Sequence, residues 1–315
     1  MDPLEKLNLK MDSSLRIACE LAKLGHLCYL SPIHALSWNS EKNQVSTLAS
    51  ELFFGQYDAT QVSMKNTKIM DLSSFSGLHM RKEPPFDMQY IGATWILDAV
   101  KNHCKIFNAP NALRSFNEKL GIFRFPEAIK SAFVSSNPQQ LLDFAYEVCD
   151  GDAIVKPLDQ FGGKGIFRLN CTTIEKIDAY KILETETQQG SQIRLIQKFN
   201  KDIYDGEIRV FTLGGEPLSW CLKKPSPGNF LANTSAGATI HPYEPGEKMY
   251  NMVTRIAKEL LSEGVAIIGF DIIGDVISEI NITSPRLLQA DEDPRNYYED
   301  CATWFESACA AVEFP

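Results

Sequence analysis

Three polar residues near the C-terminus have the types and spacing to bind a metal ion. Asp271, Glu279 and Asn281 lie in a stretch whose apolar residues alternate with period two on both sides of a Gly-Asp turn, which predicts a β-hairpin. Their oxygens are hard ligands that suit Mg²⁺ or Mn²⁺ shared with substrate phosphates. Two carboxylates in one patch also repel each other unless a cation lies between them. The apolar face is predicted to contain Ile268, Phe270, Ile272, Ile280 and Ile282.

The register of this hairpin decides whether the two carboxylates meet. For the apolar faces to coincide, Asp271 must lie across from Glu279, and we expect an odd-numbered loop such as 274–276 to allow this. A two-residue turn would put the carboxylates on opposite faces, because a slip of one residue reverses every side chain. The alternative is a solvated polar face, which is common on antiparallel hairpins.

A second segment has the pattern of a phosphate-binding loop. Lys156 ends a predicted strand, and Gly162-Gly163-Lys164-Gly165 leads into another strand. A dinucleotide-binding fingerprint would instead lead into a helix. The segment therefore predicts a glycine-rich hairpin loop whose backbone N–H groups fold over phosphates as a lid. The alternative is a plain hairpin turn that requires positive φ angles.

Arg209 lies two residues into a predicted strand that begins at Glu207. Its planar guanidinium suits a phosphate or a carboxylate. Considered alone, it is equally typical of a surface arginine.

Composition and charge exclude several classes of protein. The chain has 315 residues, 44% hydrophobic content, a formal charge of −9 and a pI of about 5.2. It has no basic run, which argues against a nucleic-acid partner. No apolar run is long enough to span a bilayer, and the acidic N-terminus lacks the features of a secretion signal. These observations predict a cytoplasmic location.

The cysteines and histidines form no recognisable metal or catalytic motif. The eight cysteines contain no CxxC pair and are expected to be reduced and mostly buried. No HExxH, GxSxG or GxxxxGK[ST] motif occurs, which argues against a zinc hydrolase, a serine hydrolase and a P-loop NTPase.

The elements that would position these residues fall into two regions. Strands and helices alternate over the first hundred or so residues, which predicts an α/β unit with a mainly parallel sheet. The later region is rich in strands, and the shift in composition near residue 119 marks the expected domain boundary. Helices are predicted at 12–24, 90–101, 111–124, 138–148, 250–263 and 300–312. Strands are predicted at 26–30, 43–54, 77–81, 104–107, 152–156, 165–169, 193–199, 207–213 and 217–222, together with the hairpin.

These motifs, in this order, resemble an ATP-grasp ligase, specifically the prokaryotic type of glutathione synthetase. The resemblance covers nearly the whole chain and implies an α/β (α+β) fold with two parts. The first is a Rossmann-like pre-ATP-grasp domain over residues 1–118. The second is a two-lobed ATP-grasp domain over 119–315, divided into 119–192 and 193–315. The motifs that carry it are Met1-Asp2-Pro3, Lys10–Ser14, Met80–Asp87, Asn117–Leu120, Lys156–Asp159, Gly162–Arg168, Gly269–Asp275 and Glu279–Pro285.

The resemblance implies that ATP drives the joining of γ-glutamylcysteine to glycine through an acyl phosphate. It implies that Lys119 and Lys156 hold phosphates and that Arg209 stabilises the transferring phosphoryl group. Two Mg²⁺ or Mn²⁺ ions would be bound by Asp271, Glu279 and Asn281, the hairpin trio. The nucleotide would also contact residues 162–165, Gln197, Lys198, Phe199 and Asn200, with Asp205 near the ribose. The resemblance suggests a homo-oligomer, and specifically a homotetramer.

The chain departs from the family pattern in two places. Family members carry an apolar strand ahead of the Met-Asp-Pro motif, and we expect a misplaced start rather than a lost strand. The segment 223–241 contains no arginine, whereas the family has an arginine-bearing loop that grips the peptide's carboxylates. Lys223 or Lys224 could replace one anchor and Arg286 another, and Asn233 and Ser284 are further candidates for contact with the peptide. Drift in a loop and a change of substrate explain this difference equally well.

Two alternatives to glutathione synthesis therefore stay open. One is a ligase of the same chemistry that acts on a different peptide or amino-acid pair. The other is a nucleotide-binding homologue without catalysis, although such a protein has no need of the paired carboxylates.

Overall fold

The computed structural model describes residues 1–160 and 162–311 of the chain. Within these residues, seven α-helices and four β-sheets form the fold. No described helix combines the length and the apolar character needed to cross a membrane. All eight cysteines are free thiols, and six of them are buried, as predicted.

The N-terminal region contains one antiparallel sheet and one parallel pair of strands. Its strands are β1 (Tyr29–Leu30), β2 (Leu36–Asn39), β3 (Gln44–Phe54), β4 (Val62–Asp71), β5 (Gly77–His79) and β6 (Lys105–Phe107). β3 pairs antiparallel with β1, β2 and β4, and only β5 and β6 pair in parallel among the described strands of this region. The expectation of a mainly parallel sheet is therefore wrong. The connections on either side of β3 are too short for the crossover that parallel strands require.

The helices begin and end at identifiable residues. They are α1 (Ser13–Lys23), α2 (Met88–Asp98), α3 (Pro110–Ser115), α4 (Pro138–Glu147), α5 (Lys176–Glu186), α6 (Glu247–Ser262) and α7 (Tyr297–Ala310). α1 begins where the Asp12 carboxylate accepts a hydrogen bond from the Leu15 N–H at 2.8 Å, which is a typical N-cap. α5 was not predicted. α7 begins three residues before its predicted start, and the predicted end at Val312 lies outside the described residues.

The helix predicted at 111–124 is wrong beyond Ser115. The Asn117 side chain accepts hydrogen bonds from the N–H groups of Lys119 and Leu120 at 3.0 and 3.1 Å. A side chain that satisfies nearby backbone donors in this way competes with the helix. The Phe116 ring also covers Gly121 so closely that an added Cβ would lie 2.0 Å from it. The turn that results brings Lys119 toward the C-terminal sheets.

The C-terminal region contains two antiparallel sheets that face each other. The first has the order β7-β10-β8-β9, and the second has the order β13-β12-β11-β14-β15. One face of the second sheet packs on α6, whose Val253, Ile256, Ala257 and Leu260 are fully buried. The strands are β7 (Ala132–Ser135), β8 (Asp152–Pro157), β9 (Phe167–Asn170), β10 (Arg194–Lys198), β11 (Glu207–Leu213), β12 (Glu216–Lys224), β13 (Thr239–Pro242), β14 (Ile267–Ile273) and β15 (Val276–Asn281).

The hairpin of β14 and β15 has the predicted register but not the predicted loop. Asp271 pairs with Glu279, as expected. The turn contains only two residues, because Ile273 pairs with Val276. The pairing shifts by one residue between Asp271 and Ile272, which leaves Ser278 as the extra residue of a β-bulge. A two-residue turn and a bulge together therefore produce the alignment that was assigned to an odd-numbered loop.

Candidate active site

A cleft of about 370 Å³ lies between the two C-terminal sheets and is open to one side. Its walls come from β8 and β10 on one side and from β11, β12, β14 and β15 on the other, closed by residues 230–234 and 283–286. Fourteen of the nineteen predicted site residues line it. They are Lys156, Gly162, Gly163, Gln197, Lys198, Phe199, Asn200, Arg209, Asn233, Asp271, Glu279, Asn281, Ser284 and Arg286.

The other five predicted residues lie outside the cleft wall. Lys119 still reaches the site, because its Nζ is 3.2 Å from Glu279 Oε1. Lys164 and Gly165 are exposed residues of the glycine-rich loop. Asp205 and Lys224 are also exposed and do not contribute to the lining.

Antiparallel pairing aligns opposite charges across the second sheet. Arg209 pairs with Asp271, which pairs in turn with Glu279, so all three share one face. Arg209 Nη1 donates to Asp271 Oδ2 at 2.8 Å. Burial by itself would raise the pKa of Asp271, but Arg209 and Lys223 outweigh it and hold this pKa at about 2. Asp271 is therefore a buried carboxylate that stays ionised.

Lys223 and Glu207 extend this row of charges, and neither was assigned this role from the sequence. Lys223 Nζ lies 2.7 Å from Asp271 Oδ1 and 2.5 Å from Glu207 Oε2. Its side chain is 8% exposed and points into the site, so it does not serve as an exposed anchor for a substrate carboxylate. Burial would lower the pKa of Lys223, yet the two carboxylates outweigh it and raise this pKa. Burial raises the pKa of Glu207, and Lys223 partly opposes this.

Gly269 makes room for the Arg209 guanidinium. A Cβ at this position would lie 2.5 Å from Arg209 Nη2 and 2.9 Å from Pro285 Cβ. The absence of a side chain lets the guanidinium lie directly over β14. Arg209 is thereby held between Asp271 and the carbonyl oxygen of Arg286, which lies 3.4 Å from its Nε and Nη2.

Two lysines, the buried Lys119 and the partly buried Lys156, approach the same carboxylates from the other side of the cleft. Lys156 Nζ lies 3.5 Å from the carbonyl oxygen of Ser278, the bulged residue. Burial lowers the pKa of Lys156, while Glu279 and Glu207 oppose this shift. Lys119 Nζ donates to the Gln160 carbonyl at 2.6 Å as well as contacting Glu279. Cations on both walls suit a polyphosphate between them.

The glycine-rich loop joins β8 to β9, as predicted for a hairpin. Gly162, Gly163 and Gly165 have φ angles of 63°, 78° and 71°, which explains the three glycines. A Cβ on Gly163 would lie 2.2 Å from Asn233 Nδ2. The loop therefore contacts the 223–241 segment, and its function as a lid stays a prediction.

One end of the cleft has an apolar wall. Phe199, Ile203 and Ala232 form a small buried cluster, against which Phe230 and Ile273 pack. The Phe199 and Phe230 rings meet edge to face with centroids 6.2 Å apart. The neighbouring Gln197 and Asn200 add polar groups to this end. This combination suits a flat heterocycle with polar edges.

Glu118 supports the site but was not among the site residues predicted from the sequence. It is half-buried, and its Oε1 accepts hydrogen bonds from Ile282 N, Thr283 N and Thr283 Oγ1 at 2.8 to 2.9 Å. Burial, followed by the nearby Glu279, raises its pKa, and these hydrogen bonds oppose the rise. Glu118 thus fixes the end of β15 beside the predicted metal trio. Its position next to Lys119 was the available clue.

The chemistry of the donor set fits a hard divalent cation. Asp271, Glu279 and Asn281 present oxygen donors on one face. Among residues 1–160 and 162–311, however, no three His, Cys, Asp or Glu side chains form a ready cage for a metal. A cation would therefore share these residues with substrate oxygens, as Mg²⁺ commonly does with phosphates.

Fold and site together define a class of protein. The chain is similar to the solved structure of the ATP-grasp ligase PsnB with its precursor peptide PsnA2 and AMPPNP, with a TM-score of 0.61 over 98% of this chain and 96% of PsnB. The sequence identity is 14%, so this likeness concerns the fold alone. The fold is that of an ATP-grasp ligase.

Sequence comparisons narrow this class to one family. The family models "Prokaryotic glutathione synthetase, N-terminal domain" and "Prokaryotic glutathione synthetase, ATP-grasp domain" match residues 1–114 and 118–293. Glutathione synthetase of Ralstonia nicotianae is 32% identical over 92% of this chain and 88% of its own. That of Neisseria meningitidis is 32% identical over 98% and 96%. The chain belongs to the prokaryotic glutathione synthetase family.

Proposed function

We propose that this protein uses ATP to join γ-glutamylcysteine to glycine. The observation that supports it most strongly is the buried row of opposite charges formed by Arg209, Asp271 and Lys223 within hydrogen-bonding distance of one another. Burying such groups is costly unless they are paired. Their position beside two further lysines suits a reaction that transfers a phosphoryl group.

The reaction proceeds in two steps. The cysteinyl carboxylate of the peptide attacks the γ-phosphorus of ATP, which forms an acyl phosphate and releases ADP. The amine of glycine then attacks the acyl carbon, which forms the peptide bond and releases phosphate. These steps need positioning and charge neutralisation rather than a protein nucleophile.

The nucleotide occupies the cleft with its base against the Phe199 wall and its phosphates between the two sheets. Lys119 and Lys156 bind phosphate oxygens, and Arg209 stabilises the transferring phosphoryl group. The glycine-rich loop covers the phosphates. Asp205 lies near the ribose in this proposal. Glu207, at the start of β11, is an acidic residue that lines the cleft.

Divalent Mg²⁺ or Mn²⁺ would be held by Asp271, Glu279 and Asn281. When bound, such an ion neutralises phosphate charge. Asn281 Nδ2 donates to Asp271 Oδ2 at 2.9 Å, which leaves the amide oxygen of Asn281 for a ligand.

The peptide lies at the end of the cleft formed by Asn233, Ser284 and Arg286. Arg286 Nη1 donates to Thr234 Oγ1 at 3.4 Å, which links it to the segment that lacks an arginine. At this end of the cleft, the guanidinium of Arg286 binds a carboxylate of the peptide, and Lys224 is a second anchor. Because segment 223–241 lacks the arginine that the family uses to grip the peptide, a related dipeptide is the second candidate for the substrate.

The test is ADP release by the purified protein with Mg²⁺-ATP, adding γ-glutamylcysteine and glycine separately and together. We expect release only with both. Release with a different dipeptide, and none with γ-glutamylcysteine, would support the second candidate. ATP binding without release for any dipeptide or amino acid would contradict the ligase function.

We further propose that the protein acts in the cytoplasm as a homo-oligomer, specifically a tetramer, and that its domain boundary follows residue 118. Sedimentation in the presence and absence of nucleotide would test the assembly.

A further inference from the structure

Lys223 holds a position in the cleft that a metal ion could otherwise take. Its ammonium group lies between two carboxylates, 2.7 Å from Asp271 Oδ1 and 2.5 Å from Glu207 Oε2. The residue is 6% exposed. A cation between two carboxylate oxygens meets the same electrostatic requirement as a divalent ion bridging them.

The hydrogen bonds of Asp271 limit what else it can bind. A carboxylate has about four lone-pair positions for hydrogen bonds or metals. Lys223 uses one on Oδ1, while Arg209 and Asn281 use two on Oδ2. About one position is left, and it lies on the oxygen that already contacts the lysine.

The charges of the cluster lead to the same conclusion. Asp271, Glu207 and Glu279 supply three negative charges. Four buried or nearly buried cations contact or face them: Lys119, Lys156, Arg209 and Lys223. The protein's carboxylates are therefore neutralised before any metal binds, and only the phosphates of a nucleotide call for a divalent ion.

We infer that the ammonium group of Lys223 replaces one divalent cation, so that the site binds a single metal ion with the nucleotide instead of two. That ion lies toward Glu279 and Asn281, away from the Glu207 side of Asp271. The inference rests on the proposed function in one respect, namely that a nucleoside triphosphate binds in this cleft. It replaces the expectation of two ions drawn from the family resemblance.

The test counts Mn²⁺ bound per chain with a saturating non-hydrolysable ATP analogue, β,γ-imido-ATP. Electron paramagnetic resonance measures the free Mn²⁺, and calorimetry measures the bound analogue. We expect one Mn²⁺ per bound nucleotide in the wild type. We expect two in Lys223→Met, with the spectrum of two spin-coupled ions, because paired metals in such sites lie about 3.5–4 Å apart.

Two variants separate the charge of Lys223 from its packing. Lys223→Arg keeps a cation and should bind one Mn²⁺. Lys258→Met is the matched control, because Lys258 Nζ pairs with Glu216 at 2.6 Å on the exposed surface, and it should also bind one. Circular dichroism checks that each variant folds. If Lys223→Met does not fold, the wild-type count still tests whether the site binds one metal ion.

The outcomes are distinct. Two Mn²⁺ per nucleotide in the wild type would overturn this inference and leave the proposed function intact. One Mn²⁺ in folded Lys223→Met would overturn the role of the lysine. If the analogue does not bind at all, the proposed function and this inference both fail.

Discussion

The cleft between the C-terminal sheets and the cavity in the N-terminal region differ in what lines them. The cleft has a volume of about 370 Å³, and charged side chains line the part of it between the two sheets. The N-terminal cavity is larger, about 800 Å³, and its walls are mainly apolar, including Leu15, Leu52 and Leu97. Thr47 and Arg81 are buried polar side chains in its wall, and the partly buried His79 lies beside them.

This difference shows that cavity size does not identify the reactive site. In the cleft, Arg209 and Lys223 both pair with the buried Asp271, and this arrangement depends on strand register. In the N-terminal cavity, Arg81 donates to Ser14 Oγ and to the Pro285 carbonyl, both at 2.9 Å, so it is a link between regions. Mutations in the cleft are therefore expected to change activity, whereas mutations in the N-terminal cavity are expected to change stability.

The largest effect is expected from Asp271→Asn. The change removes the negative charge that orients Arg209 and Lys223, so turnover should fall by about 10³-fold or more, as when a central electrostatic group is lost. Steady-state ADP release measures this. Asp275→Asn, on the exposed turn of the same hairpin, is the control and should retain activity. Equal activity of both variants would remove Asp271 from the mechanism.

Gly269→Ala should have the next largest effect. The added methyl would meet the Arg209 guanidinium at 2.5 to 2.6 Å, and moving this group should lower kcat by about 10- to 100-fold, which corresponds to the about 1–3 kcal/mol typical of overpacking. Gly92→Ala makes the same change within α2, where nothing lies within 4 Å. It should keep full activity and be slightly more stable. Wild-type kcat in Gly269→Ala would show that the position of Arg209 is not critical.

His79→Leu tests the N-terminal cavity through pH. Burial, followed by the nearby Arg81, lowers the pKa of His79 to about 3, whereas an unfolded histidine has a pKa of about 6.5. Below pH 6.5 the unfolded chain binds a proton that the folded chain does not, so stability is lost as the pH falls from 6.5 toward 3. Between pH 7 and pH 5, the wild type should lose about 2 kcal/mol more than the variant.

Urea unfolding at pH 7, 6 and 5 measures this difference. Each protein serves as its own reference at pH 7, which removes the loss of packing between His79 and the rings of Phe107 and Phe305. Identical pH dependence of the two proteins would contradict the account of His79.

Ala49→Val should have the smallest effect. Ala49 lines the N-terminal cavity, on β3, and a larger side chain there fills empty space and should add about 0.5–1 kcal/mol. Ala153→Val is the contrasting control, because Ala153 is fully buried in the core of the first C-terminal sheet. It should destabilise the protein by about 1–3 kcal/mol. Thermal unfolding measures both changes. A loss of stability in Ala49→Val would show that the N-terminal cavity has no room for a larger side chain at this position.

The sequence predicted most strands and the shared face of Asp271, Glu279 and Asn281, because the apolar residues of these strands alternate clearly. It did not reveal the bulges that align the charges. Without the bulge at Ser278, Glu279 would pair with Phe270 and face the core. A binary pattern of apolar and polar residues cannot show such an insertion.

A second bulge explains why Lys223, which the sequence suggested as a peptide anchor, instead pairs with Glu207 and Asp271. The pairing of β11 with β12 shifts between Phe211 and Thr212, which leaves Leu218 as an extra residue. With this shift, Glu207 pairs with Lys223, whereas unbroken pairing from the Gly214-Gly215 turn would put Leu222 there. The helix predicted at 111–124 was wrong for a different reason, since Asn117 competes for backbone donors.

The most direct test of the central claim follows oxygen from the peptide to phosphate. γ-Glutamylcysteine labelled with ¹⁸O in its cysteinyl carboxylate is incubated with glycine, ATP and the wild-type protein, and the released phosphate is examined by ³¹P NMR. If the cleft forms an acyl phosphate, each phosphate released carries one ¹⁸O from the peptide. Phosphate without the label, released as glutathione forms, would contradict the account.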